Sequence, residues 1–521
     1  MSVMLTSGTV LGVEGVPVRV EVDILRRLPA VQIVGLAASA VRESAERVRS
    51  AVHASGREWP RARVVINLAP ADLRKEGTAL DLPIAVGVLT ASGEVAPEVV
   101  QGRVFAGELS LSGALRPVPG ALALALMARD DGARELILPA GCAEEAALVR
   151  GLAVREAGSL EEVLDHLQDR HPLPEARLAR PEPTARGLDL ADVRGQLLAR
   201  RALEIAAAGG HNLLMVGPPG CGKTMLAARM PTILPEMTFE EAIDATRIHS
   251  VAGLRPPGAG LMIARPFRAP HHSITSAGML GTARLRPGEA CLAHHGVLFL
   301  DELPEFQRSV LEMLRGPLED RAVTLARAAG TVRFPAAFSL VAAANPCPCG
   351  FRGHPRRPCG CSESAVHVYL SRMSGPLLDR IDLQVELSPV SADELMEARP
   401  GESSAAVRAR VVAARERQTA RYGQSGLRCN ADLNGEQVRR AAAACPEALE
   451  LLRAFVERHA MSGRAHARLL KVSRTIADLE GAAAVERHHL AEALQYRAFE
   501  RLDGAEREPP PALPPCLEVR P

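Results

Sequence analysis

The sequence comprises 521 residues, of which 47% are apolar, and it carries a formal net charge of +1. A chain of this length exceeds what one hydrophobic core can serve, so two to four domains are expected. The balanced charge excludes a uniformly basic nucleic-acid-binding protein, and any DNA contact must come from a local patch or a ring-shaped assembly.

No apolar run is long enough to span a bilayer, and the first residues lack both the charged and the apolar region of a secretory signal. We therefore expect a cytoplasmic protein without membrane contact. Ten cysteines in so long a chain do not form a disulfide scaffold, and in a reducing compartment a tight group of cysteines favours a metal site. Only three lysines occur among the 62 lysine and arginine residues, so each lysine is informative.

The first part of the chain alternates strand-like and helix-like segments, which is typical of a compact α/β domain at residues 1–170. Residues 171–187 are rich in proline and arginine without periodicity, so we expect a linker. A second α/β region follows at 188–392, and the alanine- and arginine-rich stretch 393–505 has helix periodicity. The end of the chain, 506–521, is rich in proline and is predicted to be disordered.

The strongest motif is a glycine-rich turn between an apolar strand and a helix, in HNLLMVGPPGCGKTMLAARM. It fits the phosphate-binding pattern G-x-x-x-x-G-K-[ST] throughout. The residues expected to bind nucleotide are Gly217, Pro218, Pro219, Gly220, Cys221, Gly222, Lys223 and Thr224. Glycines let backbone N–H groups surround the phosphates, Lys223 would reach the β- and γ-phosphates, and Thr224 would bind Mg²⁺.

Two further apolar strands end in polar residues suited to nucleotide hydrolysis. GVLFLDELPEF places Asp301 and Glu302 after a strand, and FSLVAAAN ends in Asn345. In open parallel sheets, ligands bind at the carboxyl ends of the strands. Asp301 is therefore predicted to hold Mg²⁺ through water, Glu302 to activate the attacking water and Asn345 to orient it. An isolated Asn345 would instead be interpreted as a turn residue before Pro346.

Four cysteines follow directly, in NPCPCGFRGHPRRPCGCS. Cys347, Cys349, Cys359 and Cys361 are the right kind and number of ligands for one tetrahedral zinc ion. Because four thiolates leave no open coordination position, such a zinc would be structural rather than catalytic. His354 is an alternative ligand, and four reduced thiols in a loop rich in proline and glycine are the other interpretation.

These elements, in this order, resemble the Mg chelatase-like YifB/ComM family of AAA+ ATPases. The resemblance rests on the glycine-rich segment with FRAPHHS, PGEACLAHHGVLFLDELPEF, LRGPLEDRAVTLARAAGTVRFPAAF, NPCPCG and SGPLLDRIDL. It covers almost the entire chain. It implies an AAA+ P-loop core with a parallel sheet, a C-terminal helical lid of the Mg chelatase type, ATP and Mg²⁺ as cofactors, and assembly as a homo-hexamer.

The resemblance assigns roles to arginines that their composition would not distinguish. Arg380 in SGPLLDRIDL matches the arginine finger, which completes the ATP site of a neighbouring subunit. Arg474 in LLKVSRTIADL matches the second sensor arginine of the lid. VTLARAAGTVRFP independently predicts a β-hairpin turning at Gly330, and in the family this hairpin projects toward the ring channel. Arg327 and Arg333 flank its tip, although they could equally be solvated strand-edge arginines.

The N-terminal domain resembles the Lon-protease-like fold, of the ribosomal S5 domain 2 type, in GTALDLPIAVGVL and AGELSLSGALRPVPGALALALMA. Peptidases with this fold use a serine and a lysine, whereas Ala79 and Leu122 occupy those positions here. Without a nucleophile no acyl-enzyme can form, so we expect a catalytically inactive scaffold that binds DNA or stabilises a ring.

Two departures from the family pattern lie in loops. Gly281, Thr282 and Ala283 stand where the family has three glycines, and His295 replaces the usual asparagine of AHNG. In FRAPHHS, His271 and His272 could contact substrate, although a histidine pair in a loop is more often structural or solvated.

The combined expectation is an ATP-dependent hexameric motor that moves branched or single-stranded DNA. For the family, this implies a branch migration helicase acting on recombination intermediates in natural transformation. The alternative is a protein-remodelling ATPase of the MoxR or chelatase type. An active Lon-type protease is disfavoured by Ala79 and Leu122. The ATPase subunit of magnesium chelatase itself is disfavoured by the added N-terminal domain and the cysteine loop.

Overall fold

The computed structural model describes residues 2–36, 38–73, 75, 77–178, 187–256, 258–282, 285–327, 330–373, 375–389, 401–423, 425–459 and 462–497. Residues 179–186 of the predicted linker and all of the predicted tail lie outside these residues. Among the described residues, no helix is both long and apolar enough to cross a membrane.

An N-terminal α/β unit is built on one mixed β-sheet. Its strands are β1 (Val3–Leu11), β2 (Glu14–Leu25), β3 (Ala30–Val34), β4 (Arg63–Ala69), β5 (Arg103–Phe105), β8 (Glu135–Pro139) and β9 (Ala153–Ala157), with a small hairpin of β6 (Glu108–Leu109) and β7 (Leu115–Arg116). The seven strands lie in the order β3-β4-β2-β1-β5-β8-β9. The helices are α1 (Ser39–Ala54), α2 (Asp81–Ala91), α3 (Pro97–Val100), α4 (Ala121–Asp130), α5 (Ala143–Ala146) and α6 (Leu160–Leu167).

Both faces of this sheet are buried. Phe105 and Ile137 belong to the apolar cluster formed with α1 and α2, whereas the alternate residues Val104 and Leu136 belong to the cluster formed with α4. This is the two-residue period of a strand covered on both sides. Residues 173–176, at the start of the predicted linker, continue the unit: Ala176 N–H donates to the Val154 carbonyl of β9 at 2.9 Å.

A second sheet is entirely parallel. Its strands are β10 (Leu213–Val216), β11 (Phe267–Arg268), β12 (Val297–Leu300), β15 (Ser339–Ala344) and β16 (Leu383–Glu386), in the order β11-β12-β15-β10-β16. The accompanying helices are α7 (Leu197–Gly209), α8 (Lys223–Ala227), α9 (Met230–Ile233), α10 (Phe239–Val251), α11 (Ser276–Leu280), α12 (Glu289–Leu292), α13 (Arg308–Met313), α14 (Arg315–Asp320), α15 (Glu363–Ser371) and α16 (Gly375–Leu378). The predicted hairpin is present as β13 (Ala322–Arg327) and β14 (Gly330–Pro335). The parallel sheet confirms the α/β prediction for this region.

The C-terminal helices are α17 (Ser404–Tyr422), α18 (Gly435–Ala442), α19 (Pro446–His459), α20 (Gly463–Glu480) and α21 (Arg487–Gln495). They share one apolar cluster with α7 and with one face of the parallel sheet, including Met215 and Phe299. The alternate residues Val216 and Leu300 face a separate cluster on the other side of the sheet. Continuous burial on two faces explains why the strands read as short uninterrupted apolar runs.

The N-terminal unit contacts the second unit through its first hairpin. Val13, between β1 and β2, is buried in the apolar cluster that holds Val332 of β14. Nearby, Glu14 pairs with Arg247 at 3.0 Å, and the Gly120 N–H donates to Ser250 Oγ at 3.1 Å. The β1–β2 turn is thus packed between α10 and the β13–β14 hairpin.

Candidate nucleotide-binding site

The glycine-rich turn joins the end of β10 to the start of α8. Gly220 and Gly222 have φ angles of +79° and +92°, in the left-handed region that favours glycine. A Cβ at Gly217 would lie 2.6 Å from the Leu387 carbonyl oxygen, so a larger residue could not fit there. The local fold therefore requires glycine at these three positions of the motif.

Lys223 connects this loop to the neighbouring strand. Its Nζ donates to the carbonyls of Gly217 at 2.6 Å and Pro218 at 3.0 Å, and to Asn345 Oδ1 at 3.1 Å. Burial lowers the pKa of Lys223, while the charges of Asp301 and others oppose that shift. The predicted phosphate-binding lysine and the predicted water-orienting amide thus form one hydrogen-bonded unit.

The two predicted magnesium ligands also lie together. Thr224 Oγ1 donates to Asp301 Oδ2 at 2.8 Å. The hydroxyl and the carboxylate therefore lie side by side and would hold one magnesium ion together, Thr224 directly and Asp301 through water.

Glu302 has a left-handed backbone, with φ +53° and ψ +48°, at the point where β12 gives way to a short 3-10 turn. A non-glycine residue in this region carries strain, which is found most often at functional sites. Its carboxylate lies 3.5 Å from His272 Nδ1, and 53% of the Glu302 side chain is exposed. The turn thus holds the predicted base at the mouth of a cleft rather than in the core.

That cleft is a cavity of about 320 Å³ lined by His272, Glu302, Glu305, Asn345, Pro348 and Tyr369. Sequence reasoning missed Glu305 and Tyr369 and left His272 undecided. Burial, with the charges of Glu305 and Glu302, raises the pKa of Tyr369 to about 12, so its phenol stays a proton donor. The signal for His272 was faint, because β11, which carries FRAPHHS to this edge of the sheet, has only two residues.

The four cysteines of the loop after Asn345 converge. Their Sγ atoms lie 3.4 Å apart for Cys347 and Cys349, and 3.6 Å apart for Cys359 and each of those two. Cys361 completes the group within 4.8 Å. A tetrahedral zinc with Zn–S bonds of about 2.3 Å needs S···S separations of about 3.8 Å, so this donor set fits one zinc ion. The backbone N–H of Phe351 lowers the pKa of Cys349 to about 6, which favours the thiolate that a metal binds.

Arg380 lies at the opposite edge of the parallel sheet. It precedes β16, whereas the glycine-rich loop follows β10, the parallel neighbour of β16. Strands of four residues separate the two edges by about 13 Å. The Arg380 guanidinium contacts Glu319 and the Pro376 carbonyl, and Asn212 Nδ2 donates to the Arg380 carbonyl at 2.8 Å.

The structure does not bring Arg474 to the nucleotide cluster. Its side chain is 1% exposed, its Nε donates to Asp478 Oδ1 at 3.1 Å, and its Nη1 donates to the Ala483 carbonyl at 2.9 Å. In this arrangement Arg474 ties α20 to the turn that follows it. Its sensor role stays a prediction that would require a different position.

A basic cleft beside Arg380 was not found from the sequence. Its lining includes Arg321, Arg380, Arg464, Arg468 and Lys471. Arg468 Nη2 lies 3.2 Å from Asp379 Oδ1, so the residue before Arg380 is held by α20. The missed signal was the spacing of Arg464, Arg468 and Lys471, which places three cations on one face of a helix.

The remaining predicted positions are placed as follows. Ala79 and Leu122 pack in one apolar cluster. Arg333 is exposed, while Ala283 and the side chain of Arg327 lie outside the described residues. His295 has φ +58°, a left-handed conformation in which asparagine is favoured, and this accounts for the asparagine usual in the family.

A P-loop, an acidic pair and an amide on neighbouring parallel strands define the class of the protein as an AAA+-like nucleotide-binding protein. Three family descriptions match consecutive parts of the chain. "Magnesium chelatase, subunit ChlI" matches 189–395, "Subunit ChlI of Mg-chelatase" matches 20–141, and "Magnesium chelatase, subunit ChlI C-terminal" matches 401–497.

Two individual relatives match the chain over nearly its full length, and a third matches part of it. "Uncharacterized protein YifB" of Escherichia coli is 44% identical over 501 residues, which are 94% of this chain and 96% of that protein. "Competence protein ComM" of Haemophilus influenzae is 42% identical over 500 residues, with coverage of 94% and 96%. "DNA helicase MCM8" of Gallus gallus is 26% identical over 179 residues, 34% of this chain and 18% of that protein. The chain belongs to the Mg chelatase-like YifB/ComM family, as predicted, and this family implies nucleotide and Mg²⁺ as ligands.

Proposed function

We propose that the protein is an ATPase that works as a hexameric DNA motor, a branch migration helicase acting on recombination intermediates in natural transformation. The observation that carries the motor is the separation of Arg380 from the Lys223 and Glu302 cluster by the length of the sheet. The similarity to a protein named for competence supports the setting.

The carboxyl edge of the sheet would bind ATP. The N–H groups of the loop and the Lys223 amine would hold the phosphates. Thr224 and Asp301 would hold Mg²⁺, which supplies charge neutralisation between the β- and γ-phosphates. Exchange of the Lys223 contacts for phosphate oxygens would release Asn345 Oδ1, which lies 3.1 Å from the amine, to orient the attacking water.

Glu302 would accept the proton of that water. Its carboxylate is half exposed at the cavity. His272 lies 3.5 Å away, where its ring can orient the Glu302 carboxylate or stabilise its negative charge. Tyr369 and Glu305 line the same space. These side chains form the wall that faces the γ-phosphate position.

Arg380 would act on the nucleotide of a neighbouring subunit. At the amino edge it cannot reach the loop of its own chain, and its present partner, Glu319, is 54% exposed and could release it. An arginine supplied across a subunit boundary requires heterologous contacts, which close into rings. Hydrolysis would then depend on assembly.

The N-terminal unit would be a scaffold rather than a peptidase. Ala79 and Leu122, at the positions of the Lon-type serine and lysine, pack in one apolar cluster, so the pair offers no nucleophile. The C-terminal helices would serve as the lid of the ATPase. The cysteine loop, with zinc bound, would brace the chain directly after Asn345.

One experiment tests the motor. Purified protein is given ATP and a labelled four-way junction, and both ATP turnover and junction conversion are measured with and without DNA. We expect DNA to stimulate ATP turnover. We also expect the junction to be converted into heteroduplex products only when ATP is present. A protein that ignores DNA but is stimulated by a protein client would be a remodelling ATPase instead.

A further inference from the structure

The loop between the two cysteine pairs carries more positive charge than a loop that only binds a metal ion would require. Residues 350–358 contain three arginines, one histidine and no acidic residue. Arg352 is the arginine tied to the cluster: its N–H donates to Cys347 Sγ at 3.3 Å, and its guanidinium pairs with Glu363 at 2.8 Å. Arg356 and Arg357 are exposed and contact neither the sulfurs nor an acidic side chain among the described residues.

The two exposed arginines stand on an ordered turn. His354 Nδ1 accepts the backbone N–H groups of both Arg356 and Arg357 at 3.1 Å. The Arg357 guanidinium lies 5.3 Å from the centre of the Phe351 ring, which in turn packs edge-on against His354. A turn that presents two arginines beside an aromatic ring is the combination that binds phosphates and stacks bases of single-stranded DNA.

The same loop touches the nucleotide site. A Cβ at Gly350 would lie 2.7 Å from Cδ of Pro219 in the glycine-rich loop, so the two loops pack without a gap. Pro348 lines the cavity that contains Glu302 and Asn345. A ligand on Arg356 and Arg357 would therefore be connected to the ATP site through one packed loop.

We propose that the cysteine loop is a DNA-binding element, with Arg356 and Arg357 binding backbone phosphates and Phe351 offering a stacking surface. This inference rests on the proposed DNA motor and names a site for its DNA. It gives the metal a second purpose, because the zinc would hold the phosphate-binding turn against the glycine-rich loop. DNA occupancy and ATP turnover would then be coupled within one subunit.

The test compares two double variants of the full chain. Arg356→Gln with Arg357→Gln removes two of the three arginine charges of the loop, and Arg26→Gln with Arg27→Gln removes the same charge from another adjacent exposed pair, between β2 and β3. Binding of a fluorescein-labelled single-stranded oligonucleotide is followed by anisotropy across a salt series, with a non-hydrolysable ATP analogue present. Zinc content, melting temperature and assembly size are measured for each protein.

We expect the loop variant to retain zinc and assembly, to bind DNA on the order of tenfold more weakly, and to lose about 1.4 from the slope of log affinity against log salt, the value for two phosphate contacts to a single strand. The Arg26 and Arg27 variant should match the wild type. Equal weakening in both variants, or unchanged DNA binding in the loop variant, overturns the inference.

Two outcomes distinguish a DNA-binding loop from failure of the whole motor and from a loop that binds protein. If the wild type itself does not bind DNA, the proposed motor fails, whereas normal binding with an unaffected loop variant removes only the loop assignment. If polyglutamate displaces the oligonucleotide equally well at equal charge and the loop variant loses both ligands, the loop binds acidic protein surfaces and the DNA assignment is wrong.

Discussion

The two edges of the parallel sheet differ in what they hold. The carboxyl edge gathers Lys223, Thr224, Asp301 and Asn345 through direct hydrogen bonds. The amino edge gathers cations around Arg380, and none of the described residues that line this cleft belongs to a phosphate-binding loop. In the proposed function, the nucleotide contacts and the arginine that would complete catalysis therefore lie at opposite edges of the sheet, so a complete site would need two copies of the chain.

The largest effect is expected at the amino edge. Arg380→Ala should lower ATP turnover about a thousandfold or more while ATP affinity stays close to that of the wild type, because the side chain lies far from its own loop. Small amounts of the variant mixed into wild-type assemblies should reduce turnover more than in proportion. Arg439→Ala, on an exposed face of α18, is the matched control. A strictly proportional loss in the mixtures would show that Arg380 does not act across subunits.

At the carboxyl edge, Glu302→Gln should lower turnover about a hundredfold or more, since an amide cannot accept a proton from water. ATP binding should persist, because Lys223 and Thr224 are unchanged. Glu305→Gln, which alters a carboxylate on the same cavity, should have a much smaller effect. Turnover and nucleotide binding are measured separately for both, and equal turnover in Glu302→Gln and wild type would remove Glu302 from its role.

The cysteine loop lies at the carboxyl edge of the sheet, so loss of its metal site should affect the structure at that edge. Cys359→Ser with Cys361→Ser should abolish zinc binding and lower the melting temperature by several degrees, before any change in the chemistry of hydrolysis. Cys445→Ser, a half-buried cysteine outside the cluster, should retain both. Metal analysis and thermal unfolding measure these effects. Full stability and normal turnover without zinc would contradict a bracing role.

The smallest effect is expected for Asp382 and its hydrogen bond to His211, at the amino edge of the sheet. His211 bridges Asp382 at 3.2 Å and Thr475 of α20 at 2.8 Å. Burial acts to raise the pKa of Asp382, but the His211 hydrogen bond and nearby cations outweigh it and lower that pKa. Asp382→Asn should cost roughly 1–3 kcal/mol of unfolding free energy at neutral pH.

The pH dependence of that cost has a defined sign. A lowered folded-state pKa means that the ionised carboxylate stabilises the fold above its unfolded pKa of about 3.9, and that this contribution disappears as the pH falls through the folded value. Denaturant titrations at several pH values should therefore show the variant and wild type converging in acid. Asp320→Asn, exposed at the end of α14, is the control. A difference that stays constant in acid would exclude the charge of Asp382 as the cause.

The carboxyl-edge cluster could be predicted because each of its parts is local in sequence. Lys223 sits in a contiguous motif, and Asp301 and Asn345 each end an apolar run, so parallel pairing alone brings them together. The role of His272 stayed open and Tyr369 was not predicted, because His272 follows a two-residue strand and Tyr369 lies on a helix whose position depends on tertiary packing. The position of Arg474 shows the same limit. Similarity of its motif to the family does not predict the direction in which the buried side chain points.

The scarcity and burial of lysine have a practical consequence for labelling chemistry. Lys75 and Lys223 are buried, and Lys471 Nζ donates to the Ala431 carbonyl at 2.7 Å. Amine-directed cross-linkers will therefore find few side chains to join, and subunit contacts are better mapped through carboxylates.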